Sequence, residues 1–315
     1  MNRRFSDSRR FIQAKKRTLR MGMGLIRLVL FFSLSFVILY PLLQKMTAAF
    51  MSVEDVYDLS VRYVPRNLTG DHFVQVWKQL DLSKAFPLTV EFVLIATLIQ
   101  TFIATVVGYG LARFRFRLNR VFFVLALLGL VIPPDLLLVP LYSQFRYFDP
   151  LGLCTAFTGG PVSLINSQWP FLILAITGTG YRGGLYILLM NQFFRGMPRE
   201  LEEAAYIDGA GPVYTFFRVM LPGAGTMMVT VSLFAGVWMW LDTHFIPILM
   251  PDYPVLISQL QRLLYMNNGS ATALVTTRGL MINAGLLILI VPLLVLYMFT
   301  QRYFVQSVER SGLVG

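Results

Sequence analysis

Six apolar stretches, 17 to 27 residues long, divide this 315-residue chain: 28–44, 86–112, 121–141, 169–194, 224–250 and 279–300. A helix rises 1.5 Å per residue, so about 20 apolar residues match the ~30 Å hydrocarbon layer of a bilayer. That layer offers no water to backbone N–H and C=O groups, which limits a spanning chain to helices or a closed barrel. Barrel strands need only roughly 9–11 residues, so runs of this length point to helices. The reading is an all-α, polytopic membrane protein with about six transmembrane helices. Composition agrees: 56% of residues are hydrophobic and 14% charged, against roughly 25% charged in ordinary soluble domains. Little length is left for a separate soluble domain. One cysteine, Cys154, excludes a disulfide framework within the chain, and His72 and His244 are too far apart in sequence to suggest metal-ligand spacing.

The net charge of +11 could suggest nucleic acid, but the basic residues sit beside the apolar runs. Eight of the first twenty residues are Lys or Arg, with Asp7 as the only acid. A signal peptide is the rival reading; the long basic segment and the lack of a clean small-x-small site disfavour it. A basic cytoplasmic tail over 1–27, held near anionic lipid at ~1 kcal/mol per basic residue, fits better. Cytoplasmic loops collect Lys and Arg. If the tail 1–27, the turn 113–120, the loop 195–222 and the tail 301–315 share one side, that side holds 18 such residues; the connections 45–85, 142–168 and 242–278 hold eight. Both termini and the loop 195–222 are therefore expected in the cytoplasm. Segment 45–85 is expected to be an external loop carrying a short helix over 73–80.

Two spans carry marks of interruption. Pro133-Pro134 should bend or break the helix of 121–141 near its end. "TGTGYRGG" at Thr177–Gly184 should make 169–194 discontinuous; alternatively only 181–194 spans, and the part before it is re-entrant.

The loop between the fourth and fifth runs reads "PRELEEAAYIDGAGPVYTFFRVMLP", Pro198 to Pro222. Pro198 suits a first helical turn, where its missing N–H had no partner. Glu200, Glu202 and Glu203 then fall where the helix dipole favours carboxylates by ~0.3–1 kcal/mol each. Ala204 and Ala205 favour helix and permit close approach to the backbone. Asp208 precedes Gly209, which with Gly211 allows a turn. Pro212 starts a second helix with Tyr214, Phe216, Phe217 and Val219 on its apolar side, and Pro222 ends it. This is a short helix–turn–helix with carboxylates and small residues facing outward. Physically it could be an interfacial pair linking two spans or a docking element.

Resemblance separates those alternatives. Glu203-Ala204-Ala205, three residues, Gly209, nine residues, then Val219-x-Leu221-Pro222 resembles the signature of binding-protein-dependent ABC transporter permeases, with Val219 in place of Ile. "FFRGMPRELEEAA", "GYGLARFRF" (residues 108–116), "IPPDLLLVPLY" (132–142) and the tail "QRYFVQSVERSGLVG" (301–315) resemble the carbohydrate branch, in particular the maltose-type second permease subunit. The resemblance covers most of the chain from residue 86 onward. It departs near the start of the second span, where Leu88-Thr89 stands in place of a common Asn-Ser or Asn-Thr pair, so pore-lining roles are not carried over there.

The resemblance implies a type I ABC importer permease fold in a bacterial-type cell membrane. It implies that 198–222 is the coupling loop, docking in a groove on a cytoplasmic ATPase subunit. Glu203 would face basic groups of that ATPase, Ala204 and Ala205 would make the close contact, and Gly209 would set the turn, with 311–315 as a weaker second contact. The implied partners are a second homologous permease, two ATPase subunits and an extracytoplasmic solute-binding protein. ATP and Mg²⁺ would be used by the ATPases, since this chain has no G-x-x-x-x-G-K-[ST] loop. No enzyme activity and no bound cofactor are expected of the chain itself.

Near the outer end of the fifth run stand Trp238, Trp240, Asp242 and His244. They read either as a pore or substrate contact, with aromatic faces for sugar rings, or as an interfacial Trp belt with a boundary acid. Arg182, among glycines, either stabilises carbonyls at a helix break or marks a break outside the hydrocarbon. The function expected is import of a carbohydrate or oligosaccharide. The alternatives are import of a non-sugar solute such as a phosphodiester, or an autonomous secondary carrier. A carrier should show paired broken helices in two related halves, and the sequence shows no internal repeat.

Overall fold

The computed structural model describes the backbone of residues 2–58, 60–61, 64–265 and 272–312, and side chains within 20–265 and 276–303. Its helices in chain order are α1 (Asn2–Ala49), α2 (Val53–Tyr57), α3 (Asp71–Gln79), α4 (Leu82–Arg113), α5 (Asn119–Val131), α6 (Pro134–Arg146), α7 (Leu153–Thr158), α8 (Trp169–Ile176), α9 (Gly183–Gly196), α10 (Glu200–Ile207), α11 (Pro212–Thr215), α12 (Leu221–Gly223), α13 (Gly225–Trp240), α14 (Ile246–Leu249), α15 (Leu256–Tyr265) and α16 (Thr272–Gly312). Among the described residues there is no β-strand, only two isolated antiparallel bridges, Met51 with Leu68 and Phe148 with Val162. The all-α expectation holds.

Among the described residues, three helical segments are long and apolar enough to cross a bilayer: Arg20–Ala49, Leu82–Arg113 and Thr276–Tyr303. Two bent pairs, α5 with α6 and the 212–223 segment with α13, bring the number to as many as five if each pair counts as one span. The remaining expected crossing, 169–194, is split into α8 and α9, and neither reaches span length alone. The break falls on TGTGYRGG, as the glycines require. At Pro133 the chain turns by 104°, a sharper event than a bend near a helix end. Pro133 itself is extended (φ −59°, ψ 132°), and Pro134 opens α6 at its first turn, where a missing N–H costs nothing. The fifth run is shorter than its apolar stretch suggests. α13 stops at Trp240, and 246–249 form a separate helical turn. No helix boundary separates the basic tail from the first span, because α1 is continuous from residue 2.

The chain divides into two compact units, Met1–Gln75 with Asn268–Leu287, and Val76–Asn267 with Ile288–Gly315. In the first unit, the buried Asp55 carboxylate accepts from the backbone N–H groups of Arg66 (2.9 Å) and Asn67 (2.8 Å), and from Asn67 Nδ2 at 3.2 Å. A carboxylate with three donors folds the loop onto α2. α3 begins beside it, with a His72 ring nitrogen 3.1 Å from the Met51 carbonyl oxygen. The helix expected over 73–80 is thus present. Along α1 the side chains of Leu28, Phe31, Phe32, Phe36 and Val37 are exposed on all sides. A helix of that composition is stable only against lipid or another apolar surface.

The core of the second unit is the meeting of α4, α9 and α13. Tyr109, Tyr186, Met190, Phe194, Met220 and Val231 form its buried centre. α4 and α9 approach closely at Gly108, where a Cβ would stand 2.6 Å from Met190 Cβ. Small residues at crossings let backbones near each other, the packing that replaces a hydrophobic driving force in lipid. Polar side chains add links: Thr101 Oγ1 lies 3.0 Å from Ser232 Oγ, and Asn191 Nδ2 donates to the Gly108 carbonyl at 3.3 Å.

Candidate functional site

The loop 198–222 folds as expected into two short helices, and its turn can be followed bond by bond. α10 ends in a left-handed residue, Gly209 at φ +81°. The Gly209 N–H donates to Tyr206 O (3.0 Å) and the Ala210 N–H to Ala205 O (2.9 Å). That pair of bonds is the Schellman termination, whose left-handed position strongly favours glycine. Pro212 then opens α11. Residues 216–220 widen into a π turn, with the Leu221 N–H reaching back to Phe216 O. The widened turn immediately precedes Pro222, whose ring would crowd an ordinary helical carbonyl four residues earlier.

α10 is not a free knob on a flexible tether. Glu202 points inward and is 8% exposed. Its Oε1 accepts from Tyr109 Oη at 2.8 Å, and its Oε2 lies 3.6 Å from Arg113 Nη1. Arg113 Nη2 also donates to the Met197 carbonyl at 2.7 Å, just before α10. The side chains of Arg113 and Glu202 are 6% and 11% exposed, so the pair is screened from water. Around it, the Tyr109 ring packs on Phe194 at 5.2 Å and Phe216 at 4.8 Å. One buried carboxylate therefore joins α10 to the end of α4, while the same tyrosine touches α9 and the π turn.

The outward face of the loop differs from expectation in two respects, since both Glu202 and Ala205 turn inward. Glu203, Ala204, Asp208 and Gly209 are exposed, together with Ile207, Val213, Tyr214 and Phe217. Ala205, expected to make an outward close contact, is 9% exposed and faces the core. An eight-residue helix sends neighbouring positions to different faces, so of two adjacent alanines only one can look outward. Leu221 is half-buried and Pro222 exposed where the loop joins α13 through Ala224.

At the other end of α13, Trp240 and Asp242 are engaged within the protein. Trp240 is buried; its Nε1 donates to the Leu289 carbonyl at 3.0 Å, and its ring meets Phe86 edge-on at 6.0 Å. Asp242 Oδ1 accepts from the N–H groups of His244 (2.9 Å) and Phe245 (3.1 Å), and Oδ2 from Ile246 (3.3 Å). Asp242 thus caps the start of α14, and its oxygens are taken. Neither the Trp240 indole N–H nor the Asp242 carboxylate is available to a solute. Only His244 keeps an exposed side chain, with Nδ1 3.5 Å from Asp135 Oδ1. Trp240 and Asp242 are both buried and engaged within the protein, a placement that matches neither an interfacial belt nor an open pore contact. The contact expected at 311–315 rests on side chains outside the described residues.

Apolar helices of membrane-crossing length, packed through small residues and joined by a loop pinned to one of them, define a polytopic membrane protein. More particularly, this chain belongs to the binding-protein-dependent transport system inner membrane components, whose family model matches residues 100–310. It is 30% identical over 283 residues to the probable ABC transporter permease protein YurM of Bacillus subtilis, covering 88% of this chain and 84% of that protein. It is 25% identical to the arabinooligosaccharides transport system permease protein AraQ of Halalkalibacterium halodurans, over 90% of this chain and 93% of that one. It is 28% identical to the diacetylchitobiose uptake system permease protein NgcG of Streptomyces coelicolor, over 88% and 84%. In fold it resembles the crystal structure of a bacterial ABC transporter involved in the import of the acidic polysaccharide alginate, with a TM-score of 0.71 and 21% identity over 90% of this chain and 96% of that one. The family resemblance expected from the Glu-Ala-Ala loop and the importer-permease fold are borne out. Glu202, Arg113 and Tyr109 escaped sequence reasoning. A usable signal was present in the four arginines closing α4 and the run of glutamates opening α10, but nothing in one dimension pairs them.

Proposed function

We propose that this chain is one of two permease subunits of an ATP-driven importer for an oligosaccharide, and that loop 198–222 receives the stroke of cytoplasmic ATPase subunits. The observation that carries the reading is the construction of α10. It offers an exposed Glu203–Ala204 edge flanked by apolar side chains, and it is clamped from behind by a buried ion pair to α4. A surface meant to transmit force must be both accessible and rigidly joined to what it moves. The positive-inside distribution supports a cytoplasmic face for this loop, and ATP and Mg²⁺ would be handled by the ATPases. Closure of the two ATPases would displace α10, and the clamp would pass that displacement to α4 and, through Tyr109, to α9 and the π turn that leads into α13. The companion permease and a solute-binding protein would complete the pathway. Relatives named for arabinooligosaccharides and diacetylchitobiose support an oligosaccharide over a phosphodiester.

The test is to purify the chain with its co-purifying subunits, reconstitute the complex, and measure ATP turnover against a panel of oligosaccharides. Stimulation by a saccharide, abolished by Glu203→Lys with the complex still assembled, is the expected result. Full saccharide-stimulated turnover in Glu203→Lys would sink the docking role, and co-purification without any ATPase would sink the whole reading.

A further inference from the structure

We infer that the break between α8 and α9 forms a recognition site for a negatively charged group on the transported solute, with Arg182 as its reader. The inference rests on the oligosaccharide reading above and narrows it to a saccharide bearing a carboxylate, such as a uronic acid.

The break lines a cavity of about 680 Å³ bounded by α4, α5, α6, α8, α9 and the end of α13. That volume is in the range of pockets for small ligands, and its mix of apolar walls with a few polar groups is the usual one. Among its described lining residues Arg182 is the only charged one; the other polar side chains are Gln100, Thr177, Thr179 and Tyr181. Depth follows from α4. Gln100 Nε2 donates to the Tyr181 carbonyl at 3.0 Å, and Gln100 lies thirteen residues before Arg113 in one continuous helix. The break therefore sits about 20 Å along the helix axis from the Arg113 end and about 27 Å from the other. That level is within a ~30 Å hydrocarbon layer starting near Arg113. A lipid phosphate belongs at the headgroups, not at this depth, whereas a solute in transit reaches it.

A cation at such depth is normally paired, and an ionisable residue there is a functional candidate by default. The described residues supply no carboxylate or hydrogen-bond acceptor to the Arg182 guanidinium. Its contacts are aromatic: it lies over the Trp238 ring at 4.0 Å from the centroid and over Tyr181 at 5.2 Å. Stacking uses the face of a guanidinium and leaves the in-plane N–H fork open, the geometry that takes a carboxylate through two hydrogen bonds. Beside it, Thr177 Oγ1 and Thr179 Oγ1 stand 2.7 Å apart, with lone pairs for sugar hydroxyls.

The position is also held by construction. Arg182 adopts the left-handed backbone, φ +59°, rarely taken by a residue with a Cβ. The following glycines keep it there: a Cβ on Gly183 would stand 2.5 Å from Gly178 O, and one on Gly184 would stand 2.1 Å from Ala126 O. Backbone strain at a packed break, carrying an uncompensated charge into a cavity, is the pattern of a binding group rather than of a linker.

The test uses the assembled transporter in lipid nanodiscs, with digalacturonate and trigalacturonate as probes and galactobiose and galactotriose as neutral counterparts. Calorimetric titration should show saturable binding of the uronates, stronger than that of the neutral sugars. Arg182→Gln should weaken uronate binding about tenfold or more and neutral binding several-fold less than that, and Arg182→Lys should restore part of the loss. Trp238→Leu, which removes the platform but not the charge, should weaken the uronates less than Arg182→Gln. Equal binding of both series, or an Arg182→Gln protein that binds uronates as the wild type does, overturns the inference while the importer reading stands. Loss of the companion permease from Arg182→Gln during purification would reassign the guanidinium to a pair between subunits and overturn it too. If neither series binds and no oligosaccharide stimulates ATP turnover, the oligosaccharide reading falls with it.

Discussion

The two ends of α9 solve opposite problems with the same kind of residue. At its C-terminal end a buried arginine, Arg113, meets a buried carboxylate, and the junction with α10 is locked. At its N-terminal end an arginine, Arg182, lies over an indole and meets no carboxylate among the described residues, and the junction with α8 is shaped by glycines instead. A buried charge is tolerated when it is paired and hydrogen-bonded. The buried, paired arginine therefore reads as an anchor, whereas Arg182, exposed and facing no acid among the described residues, is free to take a counter-charge.

The comparison is broken most directly at the anchor. Glu202→Ala leaves Arg113 buried without its partner, and unfolding in SDS titrations should show a loss of about 3–5 kcal/mol. Arg113→Met with Glu202→Leu, which removes both charges, should recover much of that stability. If it also recovers transport, the pair serves stability more than force transmission. Next in size is the packed end. Gly184→Val places side-chain atoms against the Ala126 carbonyl, and overpacking should cost about 1–3 kcal/mol by the same titration. A neutral Gly184→Val would mean that α5 and α9 can separate freely, and the break would lose its rigidity.

Asp242→Ala removes the cap of α14 and should lower stability by about 0.5–2 kcal/mol while leaving the solute preference of transport unchanged. A change in preference would return Asp242 to the pathway. Smallest in stability is Glu203→Ala, an exposed change expected to stay within about 0.5 kcal/mol. Solute-stimulated ATP turnover is nonetheless expected to fall, which separates the outward glutamate from its inward neighbour Glu202.

Much of this was legible in one dimension. Hydropathy over 20-residue windows reports helices that cross a bilayer, because the bilayer imposes a length. Pro133-Pro134 and TGTGYRGG announced their breaks because proline and glycine act locally. The Glu-Ala-Ala loop announced its turn, since a left-handed termination strongly favours glycine at Gly209. Less legible was the end of the fifth span. Residues 241–250 continue the apolar run, but Asp242 draws three backbone N–H groups to itself and starts a new turn.

The sequence by itself determined the class of the protein, its helical construction, its interruptions and the family to which it belongs. All of these follow from local composition, from chain stiffness or from a motif with fixed spacing. Only the tertiary structure decided which glutamate of three faces inward, that Trp240 and Asp242 are committed to Leu289 and α14, and that Arg182 stands without an acid among the described residues. Those outcomes depend on helix phase and on partners up to 93 residues away, and a short helix such as α10 has too few turns for its pattern to declare a buried side.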